Sequence, residues 1–247
     1  MQKNKKDQLQ YDEWWSNFTS ANIDDPGTIY RVNRIIKKIK SLKVKDVVDA
    51  GCGSGELLKK IWKKTNGLKL SGFDVSQKII ERNKNLYSEI DFFCLNLNEP
   101  DISLNKKFDM VINCEVIEHL HEWQRAISTL SNLTKNNGYL LITTQSGKIF
   151  NHHKVLGHIQ HFKKEDLESE MKINNLEIIE SSYAGWPFMN LKNIILSLLF
   201  KDIKKSTIIT SKKGVANKLA FRIFSYLYSI SSQKRGPQIF ILAQKIS

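Results

Sequence analysis

The sequence predicts an α/β fold: a doubly wound sheet of seven strands, mostly parallel, with helices on both faces. Three observations predict it. Apolar runs of strand length alternate with stretches of helical spacing from residue 44 to residue 182. The first apolar run ends in clustered glycines that open a helix. The chain has 247 residues, 41% of them apolar and 26% charged, enough to bury a core without disulfides or metals.

The elements follow in order. Residues 8–20 and 28–41 carry helical spacing on either side of an expected turn, Asp24-Asp25-Pro26-Gly27. Residues 44–50 read as a buried strand, 56–64 as a helix, 68–74 as a strand and 76–88 as a helix capped by Ser76. Residues 91–95 and 108–114 are predicted strands, and 121–135 an amphipathic helix. The turn Asn136-Asn137-Gly138 precedes a strand over 139–145. A helix over 164–173 and a strand over 176–182 continue the alternation. Two apolar helices are expected over 188–203 and 215–230, and a last strand over 238–244 follows Gly236-Pro237.

Cys52, Cys94 and Cys114 are odd in number, lie beside apolar runs and form no CxxC. A disulfide framework and a zinc knuckle are disfavoured, and a reducing, cytoplasmic setting is expected. The polar start, Met-Gln-Lys-Asn-Lys-Lys, has no signal-peptide core, and no apolar run reaches spanning length. The net charge is +13, unevenly spread. Residues 186–247 hold eleven of the 38 basic residues and one of the 25 acids, Asp202. That asymmetry points to an anionic partner or surface, or to a lysine-rich composition whose charges are simply solvated.

The glycine turn reads Asp49-Ala50-Gly51-Cys52-Gly53-Ser54-Gly55. Position six from Gly51 is Glu56, so the nicotinamide fingerprint fails, and no ATPase phosphate loop is present. Phe73-Asp74-Val75-Ser76 puts an acid at the end of the second strand, suited to two ribose hydroxyls. Residues 94–100 and 107–120 contribute Cys94-Leu95-Asn96-Leu97 and Asn113-Cys114-Glu115-Val116-Ile117-Glu118-His119. Together these motifs resemble the class I S-adenosylmethionine-dependent methyltransferases over residues 44–184 and the closing strand. The resemblance is nearest to a broad bacterial group with ubiquinone-type O-methyltransferases and glycan-cluster methyltransferases.

That resemblance implies a Rossmann-like sheet whose last strand is antiparallel. It implies four segments: an N-terminal helical lid (1–43), a catalytic domain (44–185), a helical insertion serving as acceptor cap or interface (186–235) and a closing strand (236–247). The cofactor implied is S-adenosyl-L-methionine, bound by Asp49, Gly51, Cys52, Gly53, Gly55, Asp74, Val75, Asn96, Leu97 and Cys114. Asn96 stands where the family usually has an Asp; its amide oxygen can accept the adenine amino group. Asn113-Cys114-Glu115-Val116 replaces the Asn/Asp-Pro-Pro-aromatic motif of amino-methylating nucleic-acid enzymes, which disfavours that chemistry.

The candidate catalytic residues are His119, as general base, and Glu115. All six histidines fall between 119 and 161. In the resembled ubiquinone-type and small-RNA methyltransferases an E-x-x-E-H segment holds a divalent metal. By resemblance Glu115, Glu118 and His119, with His158 or His161, would hold Mg or Mn here. A metal-free base at His119 and a purely structural Glu118–His119 pair stand beside that reading. Positions 115, 118 and 119 share a face if the segment is helical. Gly157-His158-Ile159-Gln160-His161-Phe162 is either an acceptor-pocket wall or a turn held by imidazoles. Tyr11, Trp14, Trp15 and Phe18 form one helical stripe, read as core or as a lid.

Three functions follow: O-methylation of a small or carrier-linked molecule, a catalytically silent cofactor-binding module, and an RNA 2′-O-methyltransferase. Nucleic acid is the less favoured partner, because the basic residues ride with very apolar helices. The segment 186–235 is read as a contact with anionic membrane on the inner face, or as packing on the sheet or a homodimer face.

Overall fold

The computed structural model describes residues 11–13, 26–99, 104, 106–199, 226–228 and 230–246. Helix α1 (Pro26–Ser41) leads into strand β1 (Asp46–Ala50). Helix α2 (Glu56–Lys64), strand β2 (Lys69–Asp74), helix α3 (Gln77–Leu86) and strand β3 (Asp91–Cys94) follow. Strand β4 (Phe108–Cys114), a 3-10 turn (Ile117–His119) and helix α4 (Trp123–Leu133) precede strand β5 (Thr134–Gln145). Helices α5 (Asn151–Val155) and α6 (Lys164–Ile173), strand β6 (Leu176–Ala184), helix α7 (Phe188–Leu199) and strand β7 (Gln238–Lys245) complete the order.

The seven strands run β3-β2-β1-β4-β5-β7-β6. β3, β2, β1, β4 and β5 pair in parallel. β7 is antiparallel to both β5 and β6, as expected of the last strand. The order reverses beside β1, and ligands of such sheets bind at the carboxyl ends beside that switch point.

Alternation along each strand feeds two cores. Val48 and Ala50 face α4 and α6 through Leu130, Leu133, Leu167 and Met171. Val47 faces the other way, onto Ile35, Ile39, Leu58, Ile61 and Ile80. In α1 the buried Val32, Ile35, Ile36 and Ile39 form one stripe, which docks the helix on the sheet. In α3 the Ser76 hydroxyl accepts the Ile79 N–H at 3.3 Å, the cap the sequence predicts.

Four expectations change. Pro26 and Gly27 are not a turn but the first turn of α1, where proline's missing N–H costs nothing. The fifth strand begins at Thr134 rather than Tyr139. The Asn136-Asn137-Gly138 turn is a bulge inside it, with the register jumping from Phe108↔Thr134 to Met110↔Tyr139 and Asn137 at φ 62°. The helix expected over 121–135 runs only from Trp123 to Leu133. Helix α5 was not anticipated, its five residues being too few to carry a period. Of the greasy segment, Phe188–Leu199 is helical as expected. The stripe residues Trp14, Trp15 and Phe18 lie outside the described residues, as does most of 215–230.

Candidate active site

The site begins where β1 stops. Gly51, Gly53 and Gly55 all take positive φ (84°, 47° and 73°), so the chain turns sharply into α2. The Gly51 and Cys52 amides donate to Phe73 O at 2.8 and 2.9 Å, tying the turn to β2. Asn83 Nδ2 donates to Gly53 O at 2.7 Å, and Asn113 Nδ2 to Ala50 O at 2.9 Å. A Cβ on Gly51 would stand 2.5 Å from Val116 Cγ2, an atom on a stiff β-branched side chain. Gly51→Ala is therefore expected to destabilise the fold by roughly 2–3 kcal/mol through left-handed strain and overpacking. A thermal melt should read this as a Tm lower by about 4–12 °C.

Above the turn lies a cavity of about 330 Å³. Gly51, Cys52, Gly53, Asp74, Val75, Asn96, Leu97 and Cys114 line it, eight of the ten residues expected to hold the cofactor. Asp49 and Gly55 stand behind the wall. Asp74 Oδ2 accepts the Gly53 N–H and Oδ1 the Ser76 N–H, each at 3.0 Å. Its carboxyl thus fixes the glycine turn and faces the cavity together. Burial raises its pKa, against those two hydrogen bonds. Asn96 Oδ1 accepts the Asn98 N–H at 3.0 Å, a local turn that aims the side chain. Asp49 is 2% exposed, and its Oδ1 has no hydrogen-bond partner. Burial, then the Asp74 charge, push its pKa up to about 7.

The opposite wall is built from the end of β4. Glu115 takes φ 59°, a left-handed conformation rare outside glycine, and only Ile117–His119 form a 3-10 turn. The segment is not an α-helix, so the shared face expected for 115, 118 and 119 does not arise. Glu115 turns to the sheet edge. Thr143 Oγ1 donates to its Oε1 at 3.1 Å and Gln238 Nε2 at 2.8 Å. Gln145 Nε2 donates to its Oε2, with Arg31 Nη1 3.6 Å away. Burial raises the Glu115 pKa, but Arg31, Gln238 and Gln145 outweigh it and hold it below the usual value. Glu118 is fully buried; Oε2 accepts the Thr144 hydroxyl at 2.8 Å and Oε1 is unpartnered. Burial and the neighbouring Glu115 charge raise its pKa well above the usual carboxyl range.

His119 lines the cavity, and its Nδ1 lies 3.0 Å from Gly157 O. A carbonyl only accepts, so Nδ1 carries the proton and Nε2 keeps the lone pair. Burial lowers the His119 pKa, which keeps the ring neutral. The same argument fixes a second chain. His161 Nδ1 lies 3.2 Å from Gly147 O, and His161 Nε2 lies 3.0 Å from His158 Nδ1. His158 therefore also presents an Nε2 lone pair; burial and its imidazole neighbours press its pKa to about 3. His158 meets His119 edge-on at 4.9 Å and stacks on His153 at 5.2 Å. Glu118, His119 and His158 bring one donor atom each within 4.8 Å of one another. Glu115, expected in the same set, is not of this group. His121 is exposed.

A glycine turn, an acid at the second strand's end and a strand order reversing at β1 bound one ligand cavity. A family model described as a methyltransferase domain matches residues 28–181. The chain belongs to the methyltransferase-domain family. It is 26% identical over 152 residues to the malonyl-[acyl-carrier protein] O-methyltransferase of Acetivibrio thermocellus, covering 61% of this chain and 49% of that one. It is 32% identical over 148 residues to the ubiquinone biosynthesis O-methyltransferase of Pelagibacter ubique, covering 54% of this chain and 60% of that one. The chain thus spans about half to three-fifths of these relatives. The fold matches the Haemonchus contortus phosphoethanolamine N-methyltransferase 2 in complex with S-adenosyl-L-methionine. There the TM-score is 0.59 at 19% identity, covering 90% of this chain and 54% of that one.

Within this methyltransferase frame, sequence reasoning missed Arg31, Gln145 and Gln238, which hold Glu115. A usable signal existed for two of them. Gln145 is the polar residue ending an apolar strand at the ligand edge. Gln238 opens the strand that runs backwards and lands opposite it, in register.

Proposed function

We propose that the chain transfers a methyl group from S-adenosylmethionine to an oxygen of a small or carrier-linked acceptor. The observation that carries the reading is the pairing, on one cavity, of the Asp74-braced glycine turn with the Nε2 lone pair of His119. The residues fit the cofactor. Gly51 and Gly53 bring bare backbone to the cavity wall, and the orphaned buried oxygen of Asp49 suits a cationic ligand. Asp74 is assigned to the ribose hydroxyls, Asn96 and Leu97 to the adenine, and Gly51, Cys52, Gly53, Val75 and Cys114 to the surrounding wall. When bound, the cofactor supplies an electrophilic methyl on a sulfonium for in-line displacement. His119 takes the acceptor proton at Nε2, and the Gly157 carbonyl stabilises the imidazolium at Nδ1–H.

The N-terminal segment is assigned as the lid. Tyr11 lines the cavity, and Asp12 accepts from the Ser76 hydroxyl and, at 3.2 Å, from the Lys78 N–H at the start of α3. The malonyl and ubiquinone relatives act on oxygen, which supports an oxygen acceptor here. Calorimetry with S-adenosylmethionine and S-adenosylhomocysteine tests the cofactor site. Labelled methyl recovered from a bacterial cell extract, with release of S-adenosylhomocysteine, tests turnover. Binding without any release would leave a silent module; no binding would remove the reading.

A divalent-metal reading is favoured by one observation, the unpartnered Oε1 of Glu118 in the group it forms with His119 and His158. Glu118, His119 and His158 would hold the ion, which would polarise an acceptor oxygen. An ion there would compete with protons for Glu118 and the two imidazoles, so binding would strengthen as pH rises. Exhaustive chelation should then abolish turnover and lower Tm, and added Mn²⁺ or Mg²⁺ should restore both. Full activity after chelation leaves the base alone.

A further inference from the structure

β6 ends on the same sheet edge as the parallel strands, because β7 is antiparallel to both β5 and β6. Helix α7 therefore starts at the edge that carries the site. Its inner side meets the histidine cluster: Asn193 is 3% exposed and lies beside His152, whose ring is 4.1 Å from His153. His153 stacks on His158, which meets His119. Its outer side is apolar and open, with Leu191 56%, Ile194 47% and Ile195 44% exposed at one-face spacing. The 230–232 stretch adjoins its start, where the Ser232 N–H donates to Trp186 O at 3.1 Å. Trp186 and Ile230 are exposed there, and Arg235 sits 4.5 Å over the Trp186 ring.

We infer that the outer face of α7, with Trp186 and Ile230 beside it, docks on an anionic lipid bilayer and that the acceptor is a lipid-linked molecule presented there. Two features select this occupant. The face belongs to residues 186–247, which carry eleven bases and one acid, so it suits an anionic surface and repels a basic one. Over the described residues the helix also has twelve residues, about 18 Å of rise, against a hydrocarbon core of about 30 Å. Among the described residues no helix is long and apolar enough to cross a membrane. An apolar face with basic neighbours that does not span lies in the interface. A tryptophan under an arginine suits the headgroup level, where one end is apolar and the other wet. An acceptor tethered in that bilayer meets α7 first, then the histidine cluster, of which His119 lines the cavity. The acceptor class rests on the methyl-transfer reading; the docking surface does not.

The test is flotation of the full chain with vesicles of phosphatidylcholine alone or mixed with phosphatidylglycerol. Mixed vesicles should retain the protein at low salt, neutral ones should not, and salt of about 0.5 M should release most of it. Ile194→Asp with Ile195→Asp should cut retention at least about tenfold. Lys234→Gln with Arg235→Gln, both exposed beside Trp186, should do the same, each basic residue near the surface being worth about fivefold. S-adenosylmethionine affinity, measured on the same samples, should stay at the wild-type value in both variants and so reports that they fold. Lack of retention at low salt would overturn the inference, as would equal retention on neutral vesicles. So would a stable dimer that the Ile194→Asp variant dissolves, or retention on RNA that vesicles do not compete. Each of these outcomes leaves cofactor binding, and with it the methyl-transfer reading, standing.

Discussion

His119→Ala is expected to lower turnover about 10²–10⁴-fold while cofactor affinity stays near wild type. The side chain stands on the cavity wall opposite the glycine turn, and its Nδ1 proton is committed to Gly157 O. What the substitution removes is the Nε2 lone pair, which the cofactor's own binding does not use. A structural role would predict another pattern. His119→Gln supplies an N–H donor for Gly157 O but no base. Activity recovered in His119→Gln would mean that the ring merely holds the 157–161 loop. Burial keeps the His119 pKa below the ordinary imidazole value, so the ring is already neutral at pH 7. At saturating cofactor and acceptor the rate should therefore hold steady through neutral pH. It should fall on acidification only below about 6.5. An acid limb above that value would assign the proton to another group.

The legible half of the site is local. Asp49 to Gly55 and Asp74 each sit where a strand ends, so a short apolar run followed by glycine or acid marks them within ten residues of chain. The illegible half is assembled across the fold. Arg31 reaches Gln238 across 207 positions, and Gln238 reaches Glu115 across 123. No window holds both partners, and none of these residues breaks a local pattern strongly. Glu115 shows the same limit from the other side. Its residue type suggested a ligand and its spacing a helical face, but a left-handed backbone turned it onto Arg31 and two glutamines. The histidine cluster lay between these cases. Its crowding between 119 and 161 was visible, but which imidazoles meet depended on α5, too short to announce itself. The sheet was legible throughout because its central strands, buried on both faces, read as short apolar runs between turn residues, and the β5 bulge was missed because Gly138 reads as a turn in either setting.

Asp74→Ala should weaken S-adenosylmethionine binding by roughly 1.5–3 kcal/mol, about 10–150-fold, through loss of hydrogen bonds to a charged acceptor. Part of that loss would come from the freed Gly53 N–H, since the same carboxyl braces the turn. Asp74→Asn separates the two: its amide oxygen can keep one backbone bond while the charge is gone. An Asn variant binding as wild type would move the ribose contact elsewhere. The buried neighbour Asp49 adds a pH signature. Its folded pKa, about 7, lies above its unfolded value, so ionising it costs the apo-protein stability. That cost is absent below about 3.9, grows as pH rises and is complete above about 7. A cationic ligand offsets it. The Tm gain from S-adenosylmethionine should therefore increase between pH 6 and pH 8, by more than the gain from S-adenosylhomocysteine, which lacks the sulfonium charge. Melts of the wild type and of Asp49→Asn with each ligand check this. Parallel gains for the two ligands across that range would place the positive charge away from Asp49.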